Sequence, residues 1–266
     1  MRLRFWQGFL LGLLLVAWYV LTSPTLLPPF YFAEPNQAAF FFGEPLKVAE
    51  RLWRWFASGE IYEHLGVTLI ETLLAFLIGT VLGVVFGLWL ALAPSASAIL
   101  DPYIKAINAM PRVILAPIFF VWFGLDIASK VALGVTLVFF IVFFNVYQGV
   151  REVSPVVLAN ARMLGASRRQ LLRYVYVPSA MSWVFASLHN SVGLAFVGAV
   201  VGEYLGSSRG VGYLIHQAEG FFDMNTVVAG IVLLTVFALL LDWAVGVLEK
   251  RLMVFMSKKP SAWWMR

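Results

Sequence analysis

Apolar positions along this chain fall into long, nearly continuous blocks, not into the short alternation of half-buried strands. A spanning helix needs about 20 mostly apolar residues, and six stretches reach or approach that length. The first runs from about Phe5 to Leu21 behind the basic start Arg2 and Arg4. It resembles a signal peptide, but no small-x-small cleavage pattern follows, and Ser23-Pro24 and Pro28-Pro29 read as an ordered turn, so a retained helix is expected. A second block, Leu65 to Ala93, is interrupted only by Glu71 and a few Thr. Residues 101–124 form a weaker block, because Pro111 and Pro117 should break or kink it and its apolar part, Val113 to Leu125, is short. Val131 to Tyr147, about Val175 to Leu205 and about Val227 to Leu248 complete the set. The expected fold class is an all-α integral membrane protein with six transmembrane helices.

The segments between the blocks have their own patterns. In residues 45–64, Leu46, Ala49, Leu52, Trp53 and Phe56 recur at helical spacing beside Lys47, Glu50, Arg51 and Arg54, predicting an amphipathic helix on the outer surface. Residues 206–224, with four Gly among polar groups, predict an outer loop carrying one short helix. The expected organisation is an N-terminal helix plus amphipathic helix over 1–64, a core over 65–255 containing a loop at 151–178, and a cytoplasmic tail over 256–266.

Composition supports the membrane reading. Of 266 residues 61% are hydrophobic and 12% charged, against roughly half and a quarter in soluble domains. With no Cys, thiol redox chemistry and Cys-based metal sites are excluded. His64, His189 and His216 share no metal-ligand spacing, and no metal or catalytic cluster is expected. The formal charge of +5 informs topology more than nucleic-acid binding, which is not expected. With both termini cytoplasmic, Arg2, Arg4, Lys105, Arg112, Arg151, Arg162, Arg168, Arg169, Arg173, Lys250, Arg251, Lys258, Lys259 and Arg266 lie inside or at the inner boundary. Only Lys47, Arg51, Arg54, Lys130 and Arg209 lie outside, while Glu34, Glu44, Glu50, Glu60, Glu63, Asp126, Glu219 and Asp223 concentrate there. The positive-inside rule selects this orientation.

The longest basic connection between spans is Ser154 to Pro178. Ser154-Pro155 predicts a helix start, and Gly165 can take the left-handed conformation that closes it. Ser167 is placed to cap a second helix, with Leu171, Leu172 and Val175 on one face, until Pro178 bends the entry into span five. Two readings stand: a connector lying on the membrane surface, or a docking element for a cytoplasmic partner. The small residues Ala159, Ala161, Gly165 and Ala166 favour docking, since they allow close approach of another protein.

This connection resembles the cytoplasmic loop of binding-protein-dependent ABC importer permeases, whose pattern is Glu-Ala-Ala, three residues, Gly, nine residues, Ile-x-Leu-Pro. Here Ala159-Asn160-Ala161 is followed by Gly165 and by Val175-Tyr176-Val177-Pro178 at the same spacing. The departures are Ala159 at the acidic position and Asn160 for the first Ala, which puts a specific salt bridge from the loop in question. The resemblance extends over about residues 60–255 and includes Asp101-Pro102, Met110-Pro111, Ala116-Pro117, Trp122-Phe123-Gly124, Leu164-Gly165-Ala166-Ser167, Glu203 and Gly210-Val211-Gly212-Tyr213. These motifs are similar to the nitrate, sulfonate and taurine branch. The resemblance implies two permease copies, two ABC ATPase subunits docked on loops 155–170, and an extracytoplasmic solute-binding protein. The implied coupling residues are Ala159, Asn160, Ala161, Gly165, Ala166, Ser167 and Pro178. This chain has no phosphate-binding Gly-rich loop, so no cofactor is expected on it, and ATP and Mg would be used by the partner ATPase.

Other positions stand out by chemistry. Gly79, Gly83 and Gly87, and Gly198 and Gly202, repeat every four residues and predict close helix packing. Glu71, Glu203 and Asp242 are ionisable groups within or at the ends of spans and so carry functional suspicion. Glu203 is the best gate or lining candidate, the alternatives being a partner for Arg209 or a local hydrogen-bonding role; Asp242 is expected to pair near the cytoplasmic side with a basic residue. His189, Asn190 and Asn145 are further pathway candidates, although the run Phe139 to Phe144 reads more simply as packing. An ion-coupled secondary carrier should show internal repeats and more buried carboxylates, and a membrane enzyme a cluster of His, Asp or Ser; neither pattern is present.

Overall fold

A computed structural model describes residues 2–23 and 37–257. Pro24, Pro28-Pro29, Glu34, Lys258, Lys259 and Arg266 lie outside the described residues, as does residue 258 onward of the expected tail. In chain order the α-helices are α1 (Arg2–Thr22), α2 (Gln37–Phe42), α3 (Pro45–Ser58), α4 (Glu60–Leu92), α5 (Pro94–Ala109), α6 (Ala116–Phe123), α7 (Ile127–Arg151), α8 (Pro155–Met163), α9 (Arg168–Leu171), α10 (Val177–Leu205), α11 (Val211–Gly220) and α12 (Met224–Ser257). Among the described residues, five helical stretches are long and apolar enough to cross a membrane, and a bent pair makes a sixth if counted as one span. Residue contacts divide the chain into two compact units, residues 1–66 with 203–237 and residues 67–202 with 238–266.

Several boundaries differ from the sequence pattern. The amphipathic helix α3 ends at Ser58, and residues 60–64 open α4 instead. The weak third block is a broken element, in which α5 meets the segment Arg112–Phe123 at 87°. The break falls where Met110, before Pro111, is extended (φ −70°, ψ 134°), because the proline ring disfavours helical backbone in the preceding residue. Pro117 causes no break. It lies in the first turn of α6, where its missing N–H is not required.

In the second unit, α4, α7 and α10 pack around Ala75, Val138, Val142, Val146, Ala180, Val184, Leu188 and Ala195. Lipid tails are as apolar as these side chains, so the contact is held by dispersion at close range and not by exclusion of water. The glycines of α4 provide that range. A β-carbon on Gly79, Gly83 or Gly87 would stand 2.7, 2.7 and 2.9 Å from the β-carbons of Val138, Val142 and Val146. One row of glycines thus receives one row of valines at the same four-residue interval. On α10, Gly198 meets the backbone of Gly134, and Gly202 lies over the Lys130 side chain. All five glycines therefore serve contacts within the chain.

Candidate functional site

The connection after α7 forms a compact helix–turn–helix. Ser154 precedes α8 without a side-chain cap bond. Gly165 follows with φ 79°, a backbone region that L residues disfavour. The amide of Ala166 donates to the Ala161 carbonyl at 3.0 Å and closes the end of α8. Ser167 then caps α9 reciprocally: the Gln170 amide donates to Ser167 Oγ at 3.3 Å, and the Ser167 amide donates to Gln170 Oε1 at 2.7 Å. Ala159, Asn160 and the neighbouring Met163, Leu164 and Gly165 are exposed, with Met163 and Leu164 80% and 83% exposed; Ala161 and Ala166 are half-buried. No atom lies within 4 Å of a β-carbon built on Gly165. The turn is therefore held by local backbone chemistry while its apolar tip stays free.

Pro178 does not terminate the second helix. Leu172–Tyr176 forms a π-turn and α10 begins at Val177, so Arg168–Leu205 is one 38-residue apolar stretch. Proline has no N–H to give the carbonyl four residues earlier, and the wider turn, with the Val177 amide donating to Leu172, admits it without breaking the helix.

In the first unit, Glu203 is completely buried. Its Oε2 accepts the Gly212 amide at 2.8 Å at the start of α11. Gly210, at φ 101°, lies against the same carboxylate, and a β-carbon there would collide with it. The Gly210 amide donates to His64 Nδ1 at 3.1 Å, and the His64 ring stacks on Tyr213. Arg209 pairs instead with Glu63, at 3.2 Å. The buried acid thus holds the loop before α11 in place. Nearby, Arg51 of α3 reaches Asp223 at 2.9 Å, Asp223 caps α12 through the Thr226 amide and hydroxyl, and Asn225 Oδ1 accepts the Glu44 amide at 2.7 Å.

Polar groups within the spans sort differently. Asn145 Nδ2 donates to Ile141 within its own helix at 2.8 Å, which satisfies the amide locally. Glu71 is buried. His189 of α10 meets two acids of α12, with Nδ1 at 2.9 Å from Asp242 and Nε2 at 2.8 Å from Glu249, and Asn190 beside it is exposed. Among the described residues, the basic partner of Asp242 is thus His189. Sequence reasoning missed Glu249, although a seven-residue interval from Asp242 puts both on one helical face. It also missed the Arg51–Asp223 pair, for which only the Asp-x-x-Thr cap left a signal.

Fold and site together define an all-helical, multi-span membrane protein with a capped helix–Gly–helix element between two of its spans. Residues 79–254 match the family described as binding-protein-dependent transport system inner membrane component. Among similar proteins, a Bacillus subtilis chain assigned to aliphatic sulfonate transport, SsuC, is 35% identical over 196 residues, covering 74% of this chain and 71% of that one. The taurine transport system permease protein TauC of Escherichia coli is 28% identical, covering 91% and 86%. The riboflavin transport system permease RibX of Chloroflexus aurantiacus is 32% identical, covering 80% of each. An inward-facing structure of the MetNI methionine ABC transporter shares the fold with a TM-score of 0.60 at 18% identity, covering 72% of this chain and 95% of its own.

The chain belongs to the family of binding-protein-dependent transport system inner membrane components. It is a multi-pass permease subunit of an ABC importer in the inner membrane, a transport subunit and not an enzyme, whose family works with a separate ATPase and a binding protein.

Proposed function

We propose that two copies of this chain form the pathway of an importer for a small organic or inorganic solute of the sulfonate, taurine or nitrate kind, or a pyrimidine vitamin precursor. Support for that range comes from relatives named for aliphatic sulfonates, taurine and formylaminopyrimidine. ATP and Mg are used by the partner ATPase, and this chain binds neither. The ATPase docks on α8, the Gly165 turn and α9, with Ala159, Asn160, Ala161, Gly165, Ala166 and Ser167 at the contact and Pro178 joining it to α10.

The observation that carries this reading is the exposed apolar tip, Met163 and Leu164, held on a turn that local hydrogen bonds fix. An exposed apolar patch on a rigid projection marks a protein contact. ATP-driven approach of the two ATPases then biases the permease pair between inward-open and outward-open arrangements through differential contacts. Gly165→Trp adds both bulk and the cost of a left-handed backbone, whereas Gly165→Ala adds mainly the latter, about 1 kcal/mol. In proteoliposomes with ATPase and binding protein, Gly165→Trp is expected to abolish ATP-driven uptake while inserting normally, and Gly165→Ala to retain most of it. Wild-type uptake by Gly165→Trp would refute the docking assignment.

A further inference from the structure

Two cations of the second unit meet at the inner edge of the membrane. Tyr147 lies 20 residues past Ile127, the first residue of α7, about 30 Å along the helix. That is the depth of a hydrocarbon core, so with the cytoplasmic side set by the positive-inside rule the last turn of α7 stands at the inner boundary. A cleft of about 510 Å³ opens there between the end of α4 at Ala91, the first three turns of α5, and Tyr147 and Arg151 of α7. Small-ligand sites occupy roughly 300–1,000 Å³.

The polar groups of the cleft favour an anion. Arg151 donates from Nη1 to Tyr147 Oη at 2.8 Å, its guanidinium stands 5.4 Å from the centre of the Tyr147 ring, and Tyr147 Oη lies 2.6 Å from Ser97 Oγ. Two hydroxyls joined by one hydrogen bond use one O–H for it, which leaves the other O–H to donate into the cleft. Lys105 pairs with Asp101 at 2.6 Å, with both side chains more than half exposed. An exposed pair of this kind is weak, so Lys105 can turn to a second acceptor. Among the described residues Arg151 has no carboxylate partner. Two cations against one acid give the cleft one net positive charge.

The surroundings point to the source of the anion. Val81, Val85, Trp89 and Leu92 are exposed along α4 toward the cleft, and Ile99 and Tyr103 are exposed on α5. Such groups suit lipid, and Trp and Tyr suit its boundary with water. The cytoplasmic leaflet carries anionic headgroups, which basic clefts between spans on that side can hold. A guanidinium fork matches two phosphate oxygens at once.

We propose that the cleft between α4, α5 and α7 binds the phosphodiester of an anionic inner-leaflet phospholipid, with Arg151 and Lys105 on the phosphate oxygens and the Ser97–Tyr147 hydroxyl pair donating to the headgroup. One phosphodiester neutralises the cleft. Free phosphate offers the same oxygens but has no acyl chains to lie against Trp89 and Leu92. The assignment needs the membrane orientation and not the cargo, so it goes beyond the solute reading and does not depend on it.

The test counts bound lipid by native mass spectrometry on the permease assembled with its ATPase and binding protein in mild detergent. Phosphatidylglycerol and phosphatidylcholine are titrated separately, each with and without millimolar inorganic phosphate. Phosphatidylglycerol is expected to bind about tenfold more tightly than phosphatidylcholine and to resist displacement by phosphate. Lys105→Gln and Arg151→Gln are each expected to weaken it about fivefold. Ala98→Trp fills the cleft from an exposed position of α5 without changing any charge, and is expected to weaken phosphatidylglycerol binding at least as much. Lys47→Gln, on the outer helix α3, is expected to leave it unchanged. Equal affinity for the two lipids, or unaltered phosphatidylglycerol binding in Ala98→Trp and Lys105→Gln, would overturn the site. An equal loss in Lys47→Gln would reduce it to general charge attraction, and full displacement by phosphate would replace the lipid with a soluble anion; either overturns the proposal. ATP-driven uptake by the wild-type assembly in proteoliposomes tests the permease reading separately.

Discussion

At the scale of single residues, the acids of this chain do three kinds of work set by what surrounds them. Glu203 is buried and holds the Gly212 amide; Asp242 is exposed beside a histidine; Asp223 caps a helix and pairs across to α3. Burial raises the Asp223 carboxyl, but the Thr226 hydroxyl and amide and the Arg51 guanidinium outweigh it, and the net direction is below the usual carboxylate range. A carboxylate with a depressed native pKa contributes stability above its unfolded pKa and loses it as pH falls through the native value. The tie between α3 and the start of α12 is therefore expected to be complete at neutral pH and to weaken only in strong acid. Hydrogen exchange over residues 45–58 should show wild-type protection at pH 7 that fades below about pH 4, whereas Asp223→Asn should show reduced protection that changes little across the same range.

At the scale of elements, small residues decide which helices approach one another. Gly83 receives Val142 with no room for a methyl group, so Gly83→Ala overpacks the contact between α4 and α7 and is expected to cost about 1–3 kcal/mol. Gly66 of the same helix has nothing within 4 Å, and Gly66→Ala is expected to gain up to about 1 kcal/mol from helix propensity. Thermal unfolding in detergent should separate the two in sign. The sequence repeat of glycines was enough to predict tight packing, but not the partner. Valines 138, 142 and 146 share the spacing without any polar or small-residue signature, and dispersion contacts between rows leave no distinctive pattern in either row. Proline showed the same limit. Pro111 breaks its segment, Pro117 starts a helix, and Pro178 follows directly on a π-turn. The residue type is constant, and its effect depends on whether the missing N–H falls at a helix start or in a continuing ladder.

At the scale of the whole molecule, the distribution of cations fixes an orientation that the spans alone do not. The positive-inside rule places Met163 in the cytoplasm and Phe221 outside, and both are strongly exposed. Single cysteines at these two sites, in a chain with none of its own, are expected to react with an impermeant maleimide from opposite faces of sealed vesicles: Phe221→Cys in right-side-out vesicles and Met163→Cys in inverted ones. The reverse pattern would invert the topology and overturn the proposed docking assignment.

The sequence by itself determined that the chain lives in a bilayer, roughly where its spans lie, which side the positive-inside rule assigns to its loops and where the helix–Gly–helix turn begins. These follow from transfer free energy, charge placement and local backbone preference, each of which acts over a window of neighbouring residues. Only the tertiary structure decided that Glu203 secures Gly210 and Gly212, that the α4 glycines meet α7, and that His189 joins Asp242 to Glu249. Those outcomes depend on which faces meet across distant parts of the chain, where a shift of one residue along a helix turns a side chain by about 100° and exchanges its partners.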